Sequence, residues 1–329
     1  MTLKVGAPTN SEPTDGHAPV MIDEVVAALQ PRDGGRYVDG TFGAGGYTAA
    51  ILDAADCRVW AIDRDTYAIA AAAKMVDKYA GRLTVVEGRF GDMVEILSGE
   101  GIEVVDGIAL DLGVSSMQID DPNRGFSFRH DGPLDMRQGN DSLSASDLIN
   151  GADEGVLADI IFNYGEERQA RRIARAIVNA RADAPITRTG QLADIVRNTY
   201  RGGSSSKIDP ATKTFQAIRI QVNEELDELK SGLRGAEIML APSGRLAVVS
   251  FHSLEDRIVK EFLRTHSGEI SRASRHLPAA IKIGPAPCFS LVRRGAQKPS
   301  AKETTRNPRS RSARLRVAER TCAPPMGET

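Results

Sequence analysis

Cysteine and histidine are scarce in this chain of 329 residues, which has three cysteines and five histidines. Cys57, Cys288 and Cys322 stand far apart, and no C-x-x-C pair occurs. Neither a disulfide framework nor a zinc site with paired ligands is therefore expected. We expect free thiols in a reducing compartment and no bound metal.

Long apolar runs are also missing. No stretch reaches the roughly 18 residues that a membrane-spanning helix needs. The segment Met1–Asn10 has no apolar core of the kind found in signal peptides. These absences predict a cytoplasmic protein with no membrane partner.

The composition, with 41% hydrophobic and 26% charged residues, is that of a folded globular protein with one large domain or two. The net charge of −2 conceals an asymmetry, because residues 1–120 carry −10 and the other 209 carry +8. Ten basic and two acidic residues lie between Arg293 and Arg320 alone. This distribution indicates either a polyanionic partner such as nucleic acid or a solvated basic tail.

Strand and helix patterns alternate through the first 111 residues. Strands are predicted at 36–39, 58–62, 83–86 and 105–110, and helices at 21–30, 48–55, 66–79 and 93–97. This alternation predicts an α/β fold with a parallel, doubly wound sheet.

The alternation stops after Asp111. Residues 115–140 are punctuated by glycine and proline, and residues 144–200 show only helical patterns. We interpret 121–213 as an all-α domain inserted into a discontinuous sheet domain made of 1–120 and 214–329.

A Gly/Ser-rich hinge, Arg201–Ser206, follows the helical region. Beyond it we predict a helix at 212–229, a buried strand at 244–251, a helix at 254–264 and a strand at 312–319. The last strand alternates apolar and basic residues, so we expect it to be antiparallel at the sheet edge.

A glycine-rich turn, Asp39–Gly46, lies between the first strand and the next helix. Glycine lets the backbone turn sharply and approach a ligand, and the helix N-terminus offers free N–H groups, although many such turns are only structural. The second strand leads to Asp63, where an acid can accept both hydroxyls of an adenosine ribose. Together the two features favour a cofactor that contains adenosine.

The turn differs from a dinucleotide site. A G-x-G-x-x-G turn seats a pyrophosphate, but Thr48 stands where the third glycine would be, and Asp39 opens the turn. A carboxylate there suits a cationic ligand, and S-adenosylmethionine carries an ammonium and a sulfonium but no phosphate. Asp111 follows the fourth strand, so Asp39, Asp63 and Asp111 are expected in one crevice, unless Asp111 is only a turn residue.

Basic and aromatic side chains alternate just after this crevice, at Arg124, Phe126, Phe128, Arg129 and Arg137. Aromatic faces stack on bases and arginines contact phosphates, so the segment is a candidate RNA-binding site. Alternatively, both phenylalanines are core side chains.

A second candidate RNA-binding surface has the i, i+3, i+4, i+7 spacing of one helix face. It consists of Arg168, Arg171, Arg172 and Arg175. A stripe of this kind is usually a solvated face, but its place in the inserted domain favours RNA docking. The C-terminal arginines are a third candidate.

Nine segments between about residues 17 and 320 carry the motifs of one known family. They are His17–Met21, Tyr37–Tyr47, Ala61–Asp65, Asp111–Ser116, Arg124–Arg129, Asp131–Arg137, Thr214–Arg219, Ser250–Arg257 and Asn307–Ala313. On these segments the chain closely resembles the bacterial 16S rRNA (cytosine-N4) methyltransferase family.

The resemblance implies a class I methyltransferase fold, Rossmann-like, with an inserted domain that recognises RNA. It implies S-adenosylmethionine as donor and, as acceptor, the exocyclic N4 of a cytidine in the decoding centre (P site) of 16S rRNA in the small ribosomal subunit. It places donor-binding residues at Gly45, Gly46, Tyr47, Asp63, Phe90, Asp111 and Gln118, to which the turn itself adds Asp39 and Gly43.

Three positions depart from the family pattern. Tyr47, Met117 and Gln138 stand where histidine, proline and methionine are common. A tyrosine can still contact the donor through its backbone, so the departure at position 47 concerns its side chain.

The acceptor nitrogen is a weak nucleophile, because its lone pair is delocalised into the ring. A catalyst has to localise that pair and hold it in line with the methyl–sulfur bond. The Asp/Asn-Pro-Pro-aromatic motif of many amino-methyltransferases is missing, since the chain has Asp111–Val114 there.

We hypothesise instead that five side chains line the acceptor pocket: Asp111, Ser115, Ser116, His252 and Ser253. His252 follows a buried strand and is a candidate acceptor of the released proton. Alternatively, Ser253 and Asp256 are a capping pair that only starts a helix.

Other interpretations stay open on the sequence. They are a methyltransferase acting on another RNA or on DNA, a nicotinamide-dependent oxidoreductase, and a non-catalytic RNA-binding protein of ribosome assembly. The missing third glycine argues against the oxidoreductase. Pairing of the C-terminal edge strand would also allow a homodimer.

Overall fold

The computed structural model describes residues 19–139, 142–200, 208–268 and 285–326. Three features noted in the sequence lie outside the described residues: the segment Met1–Asn10, the motif residues His17 and Ala18, and the hinge Arg201–Ser206. Across the described ranges, no helix is both long and apolar enough to cross a bilayer.

Seven strands in the described part of the chain form one sheet. They are β1 Arg36–Asp39, β2 Arg58–Asp63, β3 Leu83–Glu87, β4 Val105–Asp111, β5 Leu240–Ser250, β6 Phe289–Leu291 and β7 Arg314–Arg320. Their order is β3-β2-β1-β4-β5-β7-β6; β1 to β5 are parallel, and β7 is antiparallel to β5 and β6. This topology confirms the predicted class I methyltransferase fold, and its strand order reverses between β1 and β4, where such sheets bind ligands.

The helices of the described residues lie on both faces of the sheet and in a separate helical unit. They are α1 Ile22–Leu29, α2 Gly46–Ala54, α3 Thr66–Ala71, α4 Ala73–Lys78, α5 Met93–Gly99, α6 Ser116–Asp120, α7 Ala145–Gly151, α8 Glu154–Gly165, α9 Ala170–Asp183, α10 Thr189–Asn198, α11 Ala211–Asn223, α12 Glu225–Met239, α13 Ser253–His266 and α14 Ala301–Arg306.

The core of the sheet domain has two halves, one on each face of the sheet. Successive residues of a strand point to opposite faces, so Leu246 and Val248 of β5 join one half and Ala247 and Val249 the other. Helices α5, α12 and α13 cover the first face, and α1, α2 and α3 cover the second. Burial on both faces explains why these strands are continuous apolar runs in the sequence.

The long helix predicted at 212–229 is broken. Glu224 adopts a left-handed φ of 52° between α11 and α12. The buried side chain of Asn223 donates to the Met136 carbonyl at 2.8 Å, and the Asn223 carbonyl accepts from Arg64 at 2.8 Å. These tertiary bonds hold the break. The alanine-rich helix predicted at 66–79 is likewise divided, into α3 and α4.

The helical unit, α7 to α11, has a hydrophobic core of its own that includes Ile149, Leu157, Ile173 and Phe215. Within the described part of 142–200 every regular element is a helix, as predicted. The apolar face of α11 packs on this core, so packing groups α11 with the helical unit beyond the boundary predicted at 213.

The C-terminal strand is antiparallel, as predicted, but the prediction of an edge position was wrong. β7 lies between β5 and β6, and the edge is formed by β6. With three residues, β6 is too short to show a periodic pattern, so it was missed. Its presence closes the edge of β7 to a second chain, and a homodimer stays a prediction.

Candidate active site

Three acids end three neighbouring strands. Asp39 ends β1, Asp63 ends β2 and Asp111 ends β4, with β1 between the other two. In the sheet register Asp39 is level with Ala61 and Ala109, so Asp63 and Asp111 each lie two residues further along. The strand ends therefore bring the three predicted acids to one edge of the sheet.

Asp39 is buried, and its carboxylate shapes the glycine turn. Oδ1 accepts the N–H of Thr41 at 3.2 Å, and Oδ2 accepts the N–H and the hydroxyl of Thr48 at 3.1 and 2.7 Å. Both oxygens thus already accept hydrogen bonds, Oδ1 from the turn and Oδ2 from the first turn of α2. Direct contact between Asp39 and the donor stays a prediction.

The pKa of Asp39 predicts a pH-dependent stability. Burial raises it to about 6, against the hydrogen bonds from Thr48 and Thr41. The Asp39 carboxyl therefore binds its proton more tightly in the native state than in the unfolded chain. The stability that this protonation contributes is lost as the pH rises from about 4 through 6. We expect the free energy of unfolding to fall by about 3 kcal/mol over this window.

Denaturant titrations from pH 4 to 7 measure this decline in the native protein and in Asp39→Asn. The variant should decline less, because only the other carboxyls of the crevice still titrate. Parallel curves for the two proteins would contradict the assignment.

Asp63 also bonds to the backbone around it. Oδ2 accepts the N–H of Gly43 at 2.7 Å, and Oδ1 accepts the N–H of Asp65 at 2.9 Å. Gly43 has a φ of 51°, a conformation that favours glycine. Burial is the main cause that raises the pKa of Asp63. A ribose at Asp63 would share these oxygens with two backbone donors.

Gly45 and Gly46 bring the backbone close to its neighbours. Gly45 has a φ of 77°, and a Cβ placed on Gly46, the first residue of α2, would overlap Cγ of Pro19. The hydroxyl of Tyr47 is buried and donates to the carbonyl of Val20 at 2.5 Å. The Tyr47 side chain is therefore already hydrogen-bonded within the protein. This agrees with the prediction that Tyr47 contacts the donor through its backbone.

Asp111 carries a buried polar atom without a hydrogen-bond partner among the described residues. Its Oδ1 is buried and accepts no hydrogen bond from the described residues. Burial raises its pKa well above the usual value, and the charges of Asp39 and Glu255 add to the shift. A buried acceptor without a partner suits a ligand that brings an N–H or a cationic group.

Gln118 and Phe90 already have protein partners. The Gln118 side chain accepts the N–H of Ser115 at 2.9 Å and donates to Asp65 at 2.7 Å, while Ser115 caps α6. The ring of Phe90 lies against Gly232 of α12, where a Cβ would overlap it. Their contacts with the donor stay predictions, as does a role for Ser116, the first residue of α6.

His252 and Ser253 lie where β5 leads into α13. The predicted capping pair was wrong, because His252 caps the helix and forms a reciprocal capping box with Glu255. Ser253 instead donates to Glu166 of the helical unit at 2.5 Å, and Asp256 pairs with two arginines of β7. Ser253 thus bonds to the helical unit, and its predicted role in the acceptor pocket stays untested.

Glu255 was not singled out from the sequence, although it lies in the motif Ser250–Arg257. It is buried and accepts the N–H groups of Phe251 and His252 at 2.7 and 3.1 Å. Burial alone would raise its pKa, but interactions with His252 and Arg219 outweigh burial and lower it. Glu255 therefore remains an anion beside Asp111.

Comparison with known proteins identifies the family. The sequence model of the MraW methylase family matches residues 14–321. Ribosomal RNA small subunit methyltransferase H of Paramagnetospirillum magneticum is 58% identical over 309 residues, which cover 94% of this chain and 96% of that protein. The proteins of the same name from Rhodospirillum centenum and Rhizorhabdus wittichii are 60% and 56% identical, and the matches cover 94% and 95% of this chain and 93% and 96% of theirs.

The chain belongs to the MraW methylase family. It is therefore a methyltransferase with S-adenosylmethionine as its donor, which confirms the predicted enzyme class and cofactor and excludes the nicotinamide-dependent alternative. The crevice of this MraW-family chain fits that donor, because its three acids suit a sulfonium and an ammonium, and Oδ1 of Asp111 has no partner in the part of the chain that the structure describes.

The candidate RNA-binding arginines beside the crevice differ in exposure. Arg124 pairs with Asp65 at 2.9 Å, and Arg137 pairs with Asp135 at 2.7 Å. Arg129 is exposed. Of the three, Arg129 is thus the best placed for a phosphate.

The two phenylalanines of the same segment lie against the helical unit. Phe126 and Phe128 are partly buried on its core, and the ring of Phe128 meets that of Phe215 edge-on at 4.8 Å between centroids. This packing agrees with the alternative of core side chains, and stacking on bases stays a prediction.

The arginine stripe lies at the start of α9. The helix begins at Ala170, so Arg168 precedes it, whereas Arg171, Arg172 and Arg175 lie on its exposed side. Arg175 is 3.5 Å from an acid of α8. The predicted surface is therefore exposed, although only three of its four arginines belong to the helix.

Two groups of possible metal ligands occur in the described residues. They are Glu225, His252 and Glu255, and Glu237, His266 and Cys288. Glu237 already accepts from Arg234 at 2.6 Å, and burial together with Glu237 raises the pKa of Cys288 to about 12. The expectation of no bound metal stays a prediction.

Proposed function

We propose that this MraW-family methyltransferase methylates the exocyclic N4 of a cytidine in the P-site decoding centre of 16S rRNA. The observation that carries the proposal is the buried Oδ1 of Asp111, which lacks a partner among the described residues at the carboxyl end of β4. In this proposal the exocyclic amino group of the cytidine supplies the hydrogen bond that this oxygen lacks. The relatives are named as ribosomal RNA small subunit methyltransferases, which supports rRNA of the small subunit as the acceptor.

The side chains around Asp111 have distinct roles in this proposal. When bound, S-adenosylmethionine supplies an electrophilic methyl group on its sulfonium. Asp111 accepts a hydrogen bond from the N4 amino group, which localises the lone pair and fixes its direction. The proton that N4 loses after attack goes to Asp111, to His252 or to water, and Glu255 holds His252 in place through backbone and ring contacts.

The RNA contacts proposed here come from exposed arginines. Arg129 and the arginines of the stripe on α9 are exposed and supply the positive charge for phosphate contacts. The helical unit that carries the stripe is tied to α13 by the bond between Ser253 and Glu166. A small subunit docked on the helical unit would thus lie against a unit that is hydrogen-bonded to the segment carrying His252. The reaction takes place in the cytoplasm, where ribosomes are assembled.

Transfer of a labelled methyl group tests the proposal. The purified protein is incubated with methyl-labelled S-adenosylmethionine and small ribosomal subunits that lack the modification, and the RNA is digested to nucleosides. We expect the label in N4-methylcytidine at one position. Label in another nucleoside, or label only on DNA or on unrelated RNA, would overturn the acceptor assignment.

A further inference from the structure

Asp65 is a buried acid that the proposed reaction does not use. It lies two residues beyond Asp63, to whose Oδ1 its own N–H donates at 2.9 Å. Its Oδ1 accepts the N–H of Tyr67 at 3.0 Å, and its Oδ2 accepts from Gln118 at 2.7 Å and from Arg124 at 2.9 Å. The segment after β2 is therefore tied directly to the loop that follows β4.

The other end of the Arg124 guanidinium holds the far side of the same loop. Nη2 donates to the carbonyl oxygens of Arg137 and Gln138 at 3.1 and 3.4 Å. Gln138 in turn bonds through its N–H to Asn223 at 2.8 Å and through Nε2 to the carbonyl of Gly113 at 3.1 Å. Arg124 and Gln138 together thus link the segment after β2 to the backbone just beyond β4.

The environment of Arg124 favours a structural use of its charge. The Arg124 side chain is 14% exposed and that of Asp65 is 5% exposed, so water screens the pair little. The planar guanidinium of Arg124 donates to two carbonyl oxygens and a carboxylate at the same time. A lysine, with one ammonium on a flexible chain, cannot reproduce this arrangement. A phosphate contact would require the guanidinium to leave these partners.

We propose that Arg124 is a positioning residue that couples the donor side of the crevice to the acceptor loop 113–138. The guanidinium holds Asp65, and Asp65 holds the segment that carries Asp63, so loss of Arg124 loosens the donor side before any RNA is present. The proposal rests on the proposed function only for the identity of the acceptor.

The test compares donor affinity and transfer kinetics in one set of variants. Donor Kd is measured by calorimetry without RNA, and kcat and KM for small subunits are measured over a range of salt concentrations. The variants are Arg124→Gln, Arg124→Lys, Asp65→Asn and the double variant Asp65→Asn/Arg124→Gln, with Arg129→Gln as the reference for a phosphate contact.

We expect Arg124→Gln and Asp65→Asn each to weaken donor binding about tenfold and to lower kcat about 100-fold. The double variant should be no worse than either single variant, because both changes break one link. Arg124→Lys should recover little, and the salt dependence of KM should match that of the native protein. Arg129→Gln should raise KM and reduce the salt slope by about one, with an unchanged donor Kd.

Two results would overturn the proposal. One is an Arg124→Gln protein that binds the donor normally but shows the raised KM and smaller salt slope of Arg129→Gln, which would make Arg124 a phosphate contact. The other is an additive double variant. If Arg124→Gln does not fold, the same comparison is made with Arg124→Lys. The donor Kd is measured without an acceptor. If the native protein failed to methylate rRNA, the acceptor assignment would be wrong, but the effect of the Arg124 variants on the donor Kd would still test this proposal.

Discussion

Replacement of Asp111 by alanine is expected to lower the rate of methyl transfer by about 10²–10⁴-fold, the usual range for a group that handles a proton in the transition state. The variant removes the buried Oδ1 that has no partner among the described residues. Without it, nothing at the end of β4 localises the lone pair of the acceptor nitrogen. Because Asp111 is also expected to contact the donor, its Kd has to be measured separately by calorimetry.

The asparagine variant separates the two roles of Asp111. Burial raises the pKa of this carboxyl, with the charges of Asp39 and Glu255 adding to the shift, so the free crevice favours the neutral form, whereas a bound cation favours the anion. Asparagine imitates the neutral form: it keeps an acceptor oxygen but takes no proton and no charge. We expect Asp111→Asn to retain more activity than Asp111→Ala and to bind the cationic donor more weakly than the native protein does.

The comparison of these rates decides the role. Single-turnover transfer with saturating donor reports the chemical step for each protein, and the native rate is the reference. Transfer at the native rate by Asp111→Ala would remove Asp111 from the acceptor pocket. Equal losses in both variants would mean that the charge, rather than the hydrogen-bond acceptor, matters.

The placement of the three crevice acids could be predicted because its signals are local. Short apolar runs predicted the parallel strands, and the acids Asp39, Asp63 and Asp111 come directly after three of them. Strand ends of a parallel sheet meet at one edge, so this placement follows from chain order and sheet topology alone. A left-handed φ at Gly43 and Gly45 likewise follows from residue type and position in a turn.

The remaining features depend on partners that are distant in sequence. Arg124 lies among basic and aromatic residues, as an RNA-contacting arginine often does, but its guanidinium pairs with Asp65. Only folding brings Nη1 of Arg124 to 2.9 Å from Oδ2 of Asp65. The break at Glu224 depends on bonds of Asn223 to Met136 and Arg64. Local pattern favours a continuous helix there, and tertiary hydrogen bonding overrides it.

Gly46→Ala is expected to damage both stability and donor binding. The backbone of Gly46 is helical, so alanine adds no backbone strain, and the effect comes from overlap of its Cβ with Cγ of Pro19. The segment after Pro19 is fixed on both sides: the carbonyl of Val20 accepts from Tyr47, and the N–H of Met21 donates to Glu303 at 2.6 Å. It cannot move aside without losing these buried bonds, so we expect a loss of about 1–3 kcal/mol in unfolding free energy.

The same substitution should raise the donor Kd, because the displaced backbone belongs to the N-terminus of α2, where the turn meets the crevice. Gly155→Ala is the matched control: Gly155 is an exposed glycine of α8 with no atom within 4 Å of an added Cβ. There alanine should stabilise the helix by about 0.5–1 kcal/mol and leave donor binding unchanged. If close backbone approach is the reason for glycine at position 46, denaturant unfolding gives stability changes of opposite sign for the two variants, and calorimetry shows a raised donor Kd for Gly46→Ala alone. A Gly46→Ala protein that is as stable as the native one and binds the donor with the same Kd would show that the Pro19 segment moves aside without cost, and would contradict a requirement for glycine at position 46.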